Sequence, residues 1–364
     1  MILIDRNCEA RDRAVPCRGG LRKVLLVVLL AALLCACGGP AGKTVPDAPL
    51  PDDSTVVDAS GEAHAVRSDR EALTFASVYA VAVPFVVALG LSDRALAINC
   101  KSAFWTENVP ALAEAGSVGR GTVDFEKLAA LAPDILLHRA NDPRTVSGAL
   151  RVGVPVFGIS AEDVDGIYRT IDLLGTYFGA EARAGEVKGF LQGKLAAAAE
   201  IVAQIPESER LTAVCFGGSL GRIAGGDMLQ TKMIEMAGGI PAAQGTTNNG
   251  NWMEVGAERI LAMDPDVIFL TGSTVLDYDV DSLKSDPAWR GMKAVREGRI
   301  YRIPAQVDAW DLPGISCGLG VFYMLRAMYP ERLSDERLRT EMDEYYTFMF
   351  GHSFTPEEIG ARLP

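Results

Sequence analysis

Histidine is scarce in this chain: His64, His138 and His352 are the only three, and no two stand close together. A zinc or manganese site needs several imidazoles to converge, and three scattered ones do not readily supply them. Histidine acid/base work would have to come from a short hairpin, a strand end or the C-terminal tail. Of seven cysteines, four crowd the first 37 residues, and no C-x-x-C pair occurs beyond them, which excludes a zinc ribbon or dithiol redox motif. Cys100, Cys215 and Cys317 are expected as buried single thiols, with one disulfide plus a free thiol left open. Positive charge is also short, 35 Lys and Arg against 47 Asp and Glu, so no basic face is offered to nucleic acid. The apolar run over 24–34 is 11 residues long, about half of the ~20 that span a bilayer.

That run follows Arg18, Arg22 and Lys23 and has the length of a signal-peptide core. Leu34-Cys35-Ala36-Cys37 then resembles a bacterial lipobox, with Cys37 as the expected lipidated N-terminus; simple cleavage after a small residue is the alternative. Loss of residues 1–36 would remove six cations and three anions and take the net charge from −12 to −15. A body that acidic does not grip anionic lipid, so an acyl chain would have to hold it to the membrane, on the periplasmic or extracytoplasmic face. Residues 38–54, rich in Pro, Gly and Asp, read as a flexible tether.

A stretch that occurs twice organises the rest. Glu126-Lys127-Leu128-Ala129-Ala130-Leu131-Ala132-Pro133-Asp134-Ile135-Leu136-Leu137 returns as Glu258-Arg259-Ile260-Leu261-Ala262-Met263-Asp264-Pro265-Asp266-Val267-Ile268-Phe269, at a constant offset of 132 residues. Each copy predicts a short helix ended by proline and then a buried strand. Two copies so far apart do not make a solenoid; they predict a duplicated α/β lobe. In the first lobe, strands are expected over 73–78, 95–99, 135–137 and 154–159, with helices over 81–89 and 125–131 between them. Such alternation implies a parallel sheet covered on both faces. Two helices, over 164–178 and from 181 to about 204, follow; the second carries an apolar stripe and would reach on the order of 35 Å, enough to join two lobes stiffly. The second lobe repeats the alternation from 211 to about 304, followed by a helix over 314–328 and a helical tail. The expected architecture is therefore α/β, two Rossmann-like lobes with parallel sheets joined by a long rigid helix. Its expected boundaries are 55–160, 161–206 and 207–364.

Ligands of open α/β sheets bind beyond the carboxyl ends of the strands. In those loops the candidate ligand-binding residues are Tyr79, Lys101, Trp105, Arg120 and Arg139 in the first lobe, and Ser219, Asp227, Asn249, Trp252, Ser273, Asp308 and Trp310 in the second. Ring faces and guanidinium groups together suit an anionic ligand or a metal chelate. The glycines at 217, 218, 221, 225 and 226 match neither a Walker loop nor a dinucleotide fingerprint, so an anion cradle and an idle hairpin turn remain equal readings. His138 reads as a satisfied rim residue, and Asp134 and Asp266, at strand starts, as turn-forming residues rather than acids of a catalytic pair. No catalytic residue is expected.

In their order, the lipobox, the paired units, Leu89-Gly90-Leu91-Ser92-Asp93-Arg94, the segment over 294–304 and the tail over 346–359 resemble the class III periplasmic substrate-binding proteins of ABC importers. That family carries ferric siderophores, cobalamin, haem and related complexes, with molybdate and tungstate binders among its relatives. The resemblance implies a monomer without a cofactor of its own. It would capture an iron complex between its lobes and deliver it to a permease dimer with its ATPase, and a molybdate or tungstate oxyanion is the alternative cargo. It further implies that Glu126 and Glu258, one on each lobe, contact the permease. From another class, a two-lobed extracytoplasmic transferase would require turnover dependent on Asp227 or Asp308, for which the loops offer few acid/base partners.

Overall fold

A computed structural model describes residues 55–99, 103–248 and 250–364. The signal segment, Cys37 and the tether lie outside these residues, as do Cys100, Lys101 and Asn249.

The described chain opens with a hairpin, β1 (Thr55–Val57) and β2 (Ala63–Ala65). Burial alone would raise the Asp58 carboxyl, but the hydrogen bond from His64 and N–H groups of Gly158 and Ser60 outweigh it and hold it down at about 2. His64 is thus spent in fastening the hairpin to the first sheet.

Strands β3 (Phe75–Ser77), β4 (Ala95–Ala97), β5 (Ile135–Arg139) and β6 (Val156–Ile159) form a parallel sheet in the order β4-β3-β5-β6. The second sheet holds β7 (Thr212–Phe216), β8 (Arg222–Ile223), β9 (Ile240–Pro241), β10 (Met253–Glu254), β11 (Val267–Leu270) and β12 (Ile300–Arg302). Its parallel part, β9-β7-β11-β12, repeats the order of the first sheet. The duplication therefore extends from the repeated stretch to the whole strand order. Two strands depart from the expected parallel arrangement: β8 pairs antiparallel with the C-terminal end of β7, and β10 pairs antiparallel with β8. The glycine-rich segment after β7 is the cause. Gly221, at φ +89°, reverses the chain, so the segment is the turn of a hairpin.

The repeated units fold alike in detail. Helices Phe125–Leu131 and Ala257–Met263 end in left-handed residues, Ala132 and Asp264. Asp134 then accepts hydrogen bonds from the Thr74 N–H (2.9 Å) and hydroxyl (2.8 Å), and Asp266 from the Thr212 N–H (2.8 Å) and hydroxyl (2.9 Å). Each aspartate ties the start of its own strand to the start of the neighbouring one, at the end of the sheet opposite the ligand loops.

Between the lobes runs helix Val164–Phe178, capped by Asp163 and stopped at Gly179, whose φ of +71° lets the chain turn at once into helix Glu181–Val202. Val187 and Leu191 of this bridging helix are buried in an apolar core shared by both lobes, Phe75 and Ile171 on one side and Phe269 and Phe322 on the other. The tail helix Asp335–Phe350 packs against it. Lys194 of the bridge reaches buried Glu341 (2.5 Å) and Glu344, so the tail locks the rod in place.

Candidate functional site

With both sheets parallel at their centres, the loops after β3 and after β11 and β12 reach the space between the lobes. With the helix after β4 they line a cavity of about 90 Å3. Its first-lobe wall is Ala80, Val83, Pro84 and Trp105; its second-lobe wall is Gly272, Ser273 and residues 305–309 with Leu312. The lobes touch beside it, where a Cβ on Gly314 would come within 3.3 Å of Pro84.

The second-lobe wall is braced by buried polar groups. Asp311, fully buried, accepts from the Thr271 hydroxyl and the Gly272 N–H (3.2 Å). With the Thr271 proton directed at that carboxylate, the 2.8 Å contact between Thr271 and Ser273 has Ser273 as donor. Asp308 accepts from the Tyr345 hydroxyl of the tail helix at 2.9 Å. Burial pushes its carboxyl up to about 6, with nearby Asp311 adding to the rise and hydrogen bonds from Tyr345 and Ser316 opposing it. One wall of the cavity therefore carries a carboxyl that titrates near neutrality.

A second cluster stands at the ends of β3 and β5. The Arg139 guanidinium lies 5.4 Å from the centre of the Tyr79 ring, and the His138 ring meets Tyr79 edge-on at 6.0 Å. His138 Nε2 pairs with Asp142 at 3.0 Å, which holds the Asp142 carboxyl down at about 2. Burial lowers the His138 pKa, so the ring is neutral, with its proton on Nε2 facing the carboxylate. Its Nδ1 is buried without a hydrogen-bond partner among the described residues.

Of the twelve candidate ligand residues, the structure brings Trp105, Ser273 and Asp308 to one cavity and pairs Tyr79 with Arg139 beside it. Trp105 sits on a short helix, Ala103–Asn108, not in an irregular loop. Trp310 does not line the cavity. It is 1% exposed and donates to the Tyr346 hydroxyl at 3.2 Å, so its ring is core. Asp227 accepts the N–H of Gly250 (2.9 Å) and of Asn248 (3.3 Å), bracing the loop that carries Trp252. The Trp252 ring covers Gly217, where a Cβ would collide with it at 2.8 Å. Ser219 lies in the β7–β8 turn, and Arg120 is exposed on the loop before helix Phe125–Leu131, neither at the cavity. Glu126 and Glu258 are exposed in the first turns of equivalent helices. Sequence reasoning missed Pro84, Gln306 and Asp311. Gln306 was recoverable, because it lies four residues past Arg302, the end of β12, at the carboxyl edge of the sheet.

A sequence model of the family described as "Periplasmic binding protein" matches residues 76–307. The lipoprotein YvrC of Bacillus subtilis, an uncharacterised ABC transporter substrate-binding protein, is 23% identical over 328 residues, 87% of this chain and 99% of its own length. The molybdate-binding protein MolA of Haemophilus influenzae is 24% identical over 260 residues, 65% of this chain and 72% of that protein. Its molybdate-bound structure superposes with a TM-score of 0.70, at 18% identity, over 83% of this chain and 99% of that one. The Fe(3+)-citrate-binding protein YfmC of B. subtilis is 25% identical over 234 residues, 61% of this chain and 69% of that protein.

Proposed function

The chain belongs to the periplasmic binding protein family and is a substrate-binding protein of the ABC-transporter type; from that starting point we propose that its cargo is a compact, metal-bearing anion. The small cavity between the lobes carries this reading. Pockets for drug-sized ligands hold roughly 300–1,000 Å3, and about 90 Å3 falls well short of that. A haem or corrinoid would enter only if the lobes parted, whereas an oxyanion or a small ferric complex needs little more room. Two relatives carry such species in their names, molybdate and Fe(3+)-citrate. The iron-complex expectation thus narrows to small chelates and stands beside the oxyanion.

The cell-envelope assignment follows from the lipobox, with Cys37 as the lipidated residue and a permease dimer with its ATPase as partner. Glu126 and Glu258, exposed at matching places on the two lobes, are the contacts we assign to that permease. Binding rather than turnover is the activity.

Calorimetric titration of the protein with molybdate, tungstate, ferric citrate and haem tests the cargo. Micromolar or tighter binding of at least one compact anion, with haem inert, is expected. Tight haem binding with every compact anion inert would overturn the proposal.

A further inference from the structure

The C-terminal tail touches both walls of the cavity. Helix Asp335–Phe350 packs on the second-lobe helix Cys317–Met328, and from there Tyr345 donates to Asp308 at 2.9 Å while Tyr346 accepts from Trp310 at 3.2 Å. Its far end reaches the other lobe. The Phe350 ring meets Trp105 at 5.6 Å and Phe104 at 5.4 Å between centres. Gly351, left-handed at φ +80°, then ends the helix, and Phe354 comes to lie 4.9 Å from Phe104. Phe104 and Trp105 are neighbours on helix Ala103–Asn108 of the first lobe; Trp105 lines the cavity, whereas Phe104, Phe350 and Phe354 do not.

The lobes are thus connected a second time, at the cavity itself and not only along the bridging helix. Both Phe350 and Phe354 meet Phe104 edge-on, an arrangement that holds a direction as well as a distance. Arg183 of the bridging helix adds to the grip by donating to the carbonyls of Ala88 in the first lobe (2.8 Å) and Phe348 in the tail (3.3 Å). For the walls to part, helix Ala103–Asn108 has to leave the rings of the tail, or the tail has to leave Asp308 and Trp310.

We propose that the tail sets the width of the cavity and so selects cargo by size: Phe350 and Phe354 are positioning residues that hold Trp105 against the second-lobe wall without touching the ligand. A cavity that is closed only part of the time binds compact cargo more weakly in that proportion, and one that opens admits larger cargo. The inference rests on the compact-cargo reading above and adds what enforces it.

The experiment compares wild type with Phe354→Ala, the Phe350→Ala, Phe354→Ala double variant and Phe354→Tyr, which keeps the ring. Calorimetry uses molybdate, ferric citrate and haem, and thermal melts confirm folding, since both phenylalanines are only half-buried. Spin labels on Ala130→Cys and Ala262→Cys, exposed at matching positions of the two lobes, report lobe separation without cargo in a background with Cys37 and Cys100 replaced by Ser. In the double variant the label distances should lengthen and broaden. The Kd for whichever compact anion wild type binds should rise at least fivefold, and haem, inert in wild type, should bind measurably. Phe354→Ala should shift in the same direction by less, and Phe354→Tyr should match wild type. Loss of anion affinity with no gain of haem binding marks a merely structural tail and overturns the proposal. Label distances in the double variant that match wild type also overturn it, and both outcomes leave the cargo reading standing. A wild type that binds no compact anion overturns the cargo reading instead, and the label distances then decide the role of the tail.

Discussion

Replacing Asp308 by Asn tests the electrostatics of the cavity wall. The carboxyl has an ordinary value of 3.8 and titrates at about 6 in the folded chain. A folded pKa raised above the unfolded one means that between roughly pH 4 and pH 6 the folded state holds a proton the unfolded state has lost. Stability therefore falls as pH rises through that window, and the full cost is present above pH 7. A rise of that size makes the ionised form cost roughly 3 kcal/mol. The groups facing Asp308 are Asp311 on its own loop, Tyr345 and Tyr346 from the tail helix, and Ser316 and Cys317 at the start of the next helix. The amide of Asp308→Asn keeps the shape and an oxygen to accept from Tyr345 but carries no charge. The variant should melt close to wild type at pH 4 and above it at pH 7.5. At about 2 cal/mol/K per residue over some 310 residues, the gain is roughly 4–5 °C. Scanning calorimetry from pH 4 to pH 8 measures it. A variant destabilised more at pH 7.5 than at pH 4 would show that Tyr345 and Ser316 stabilise the ionised carboxylate more than burial penalises it, and would refute the reasoning.

Four further outcomes follow. Gly185, Gly189 and Gly193 lie in the bridging helix with open space where a Cβ would go, so each change to Ala should add up to about 1 kcal/mol. The triple variant should melt about 3–4 °C higher, and an unchanged or lower melting temperature counts against a fully helical bridge. Asp134→Ala and Asp266→Ala should each cost on the order of 1–2 kcal/mol by urea unfolding, since each strands the N–H of a strand-opening threonine; a large difference between them would mean the two lobes do not use the motif alike. Cys37→Ser should move the protein from the membrane to the soluble fraction, and retention at the membrane argues against the anchor. Glu126→Ala with Glu258→Ala should leave cargo affinity unchanged and abolish uptake through the permease; undiminished uptake removes both residues from that role.

What the sequence disclosed most clearly was whatever local chemistry dictates. Helices Val164–Phe178 and Phe125–Leu131 have the bounds that their caps and breakers mark: Asp163 and Gly179 for the first, Asp124 and the Ala132-Pro133 step for the second. The duplication showed because one backbone manoeuvre, a left-handed residue before Pro-Asp and then a buried strand, recurs. The Asp134 and Asp266 pairings did not show. They need Thr74 and Thr212, which lie 60 and 54 residues away and sit at no common offset from the repeat. The hairpin after β7 is not legible locally, because a glycine-rich segment is equally compatible with a turn and with an anion cradle until the strand that follows is known.

Site residues were the hardest to read, and the three candidate tryptophans, Trp105, Trp252 and Trp310, show why. All three fall near strand ends, where topology says a crevice opens, yet that rule selects loops and not side-chain directions. Trp105 faces the cavity from a helix, Trp252 lies on Gly217, and Trp310 turns inward to Tyr346, a residue 36 positions further along the chain. No periodicity governs direction in a loop, so the partner that captures each ring is found only after the tail helix has packed. The same holds for Asp308. As an isolated aspartate in a loop it would be ionised at neutral pH; burial raises its carboxyl to about 6, against the opposing hydrogen bond that Tyr345 of the tail helix donates. If cargo is an anion, its affinity should therefore weaken as pH rises through that value in wild type and stay flat in Asp308→Asn. A wild-type affinity with no slope between pH 5 and pH 7.5 would mean that the cargo does not sense this wall of the cavity.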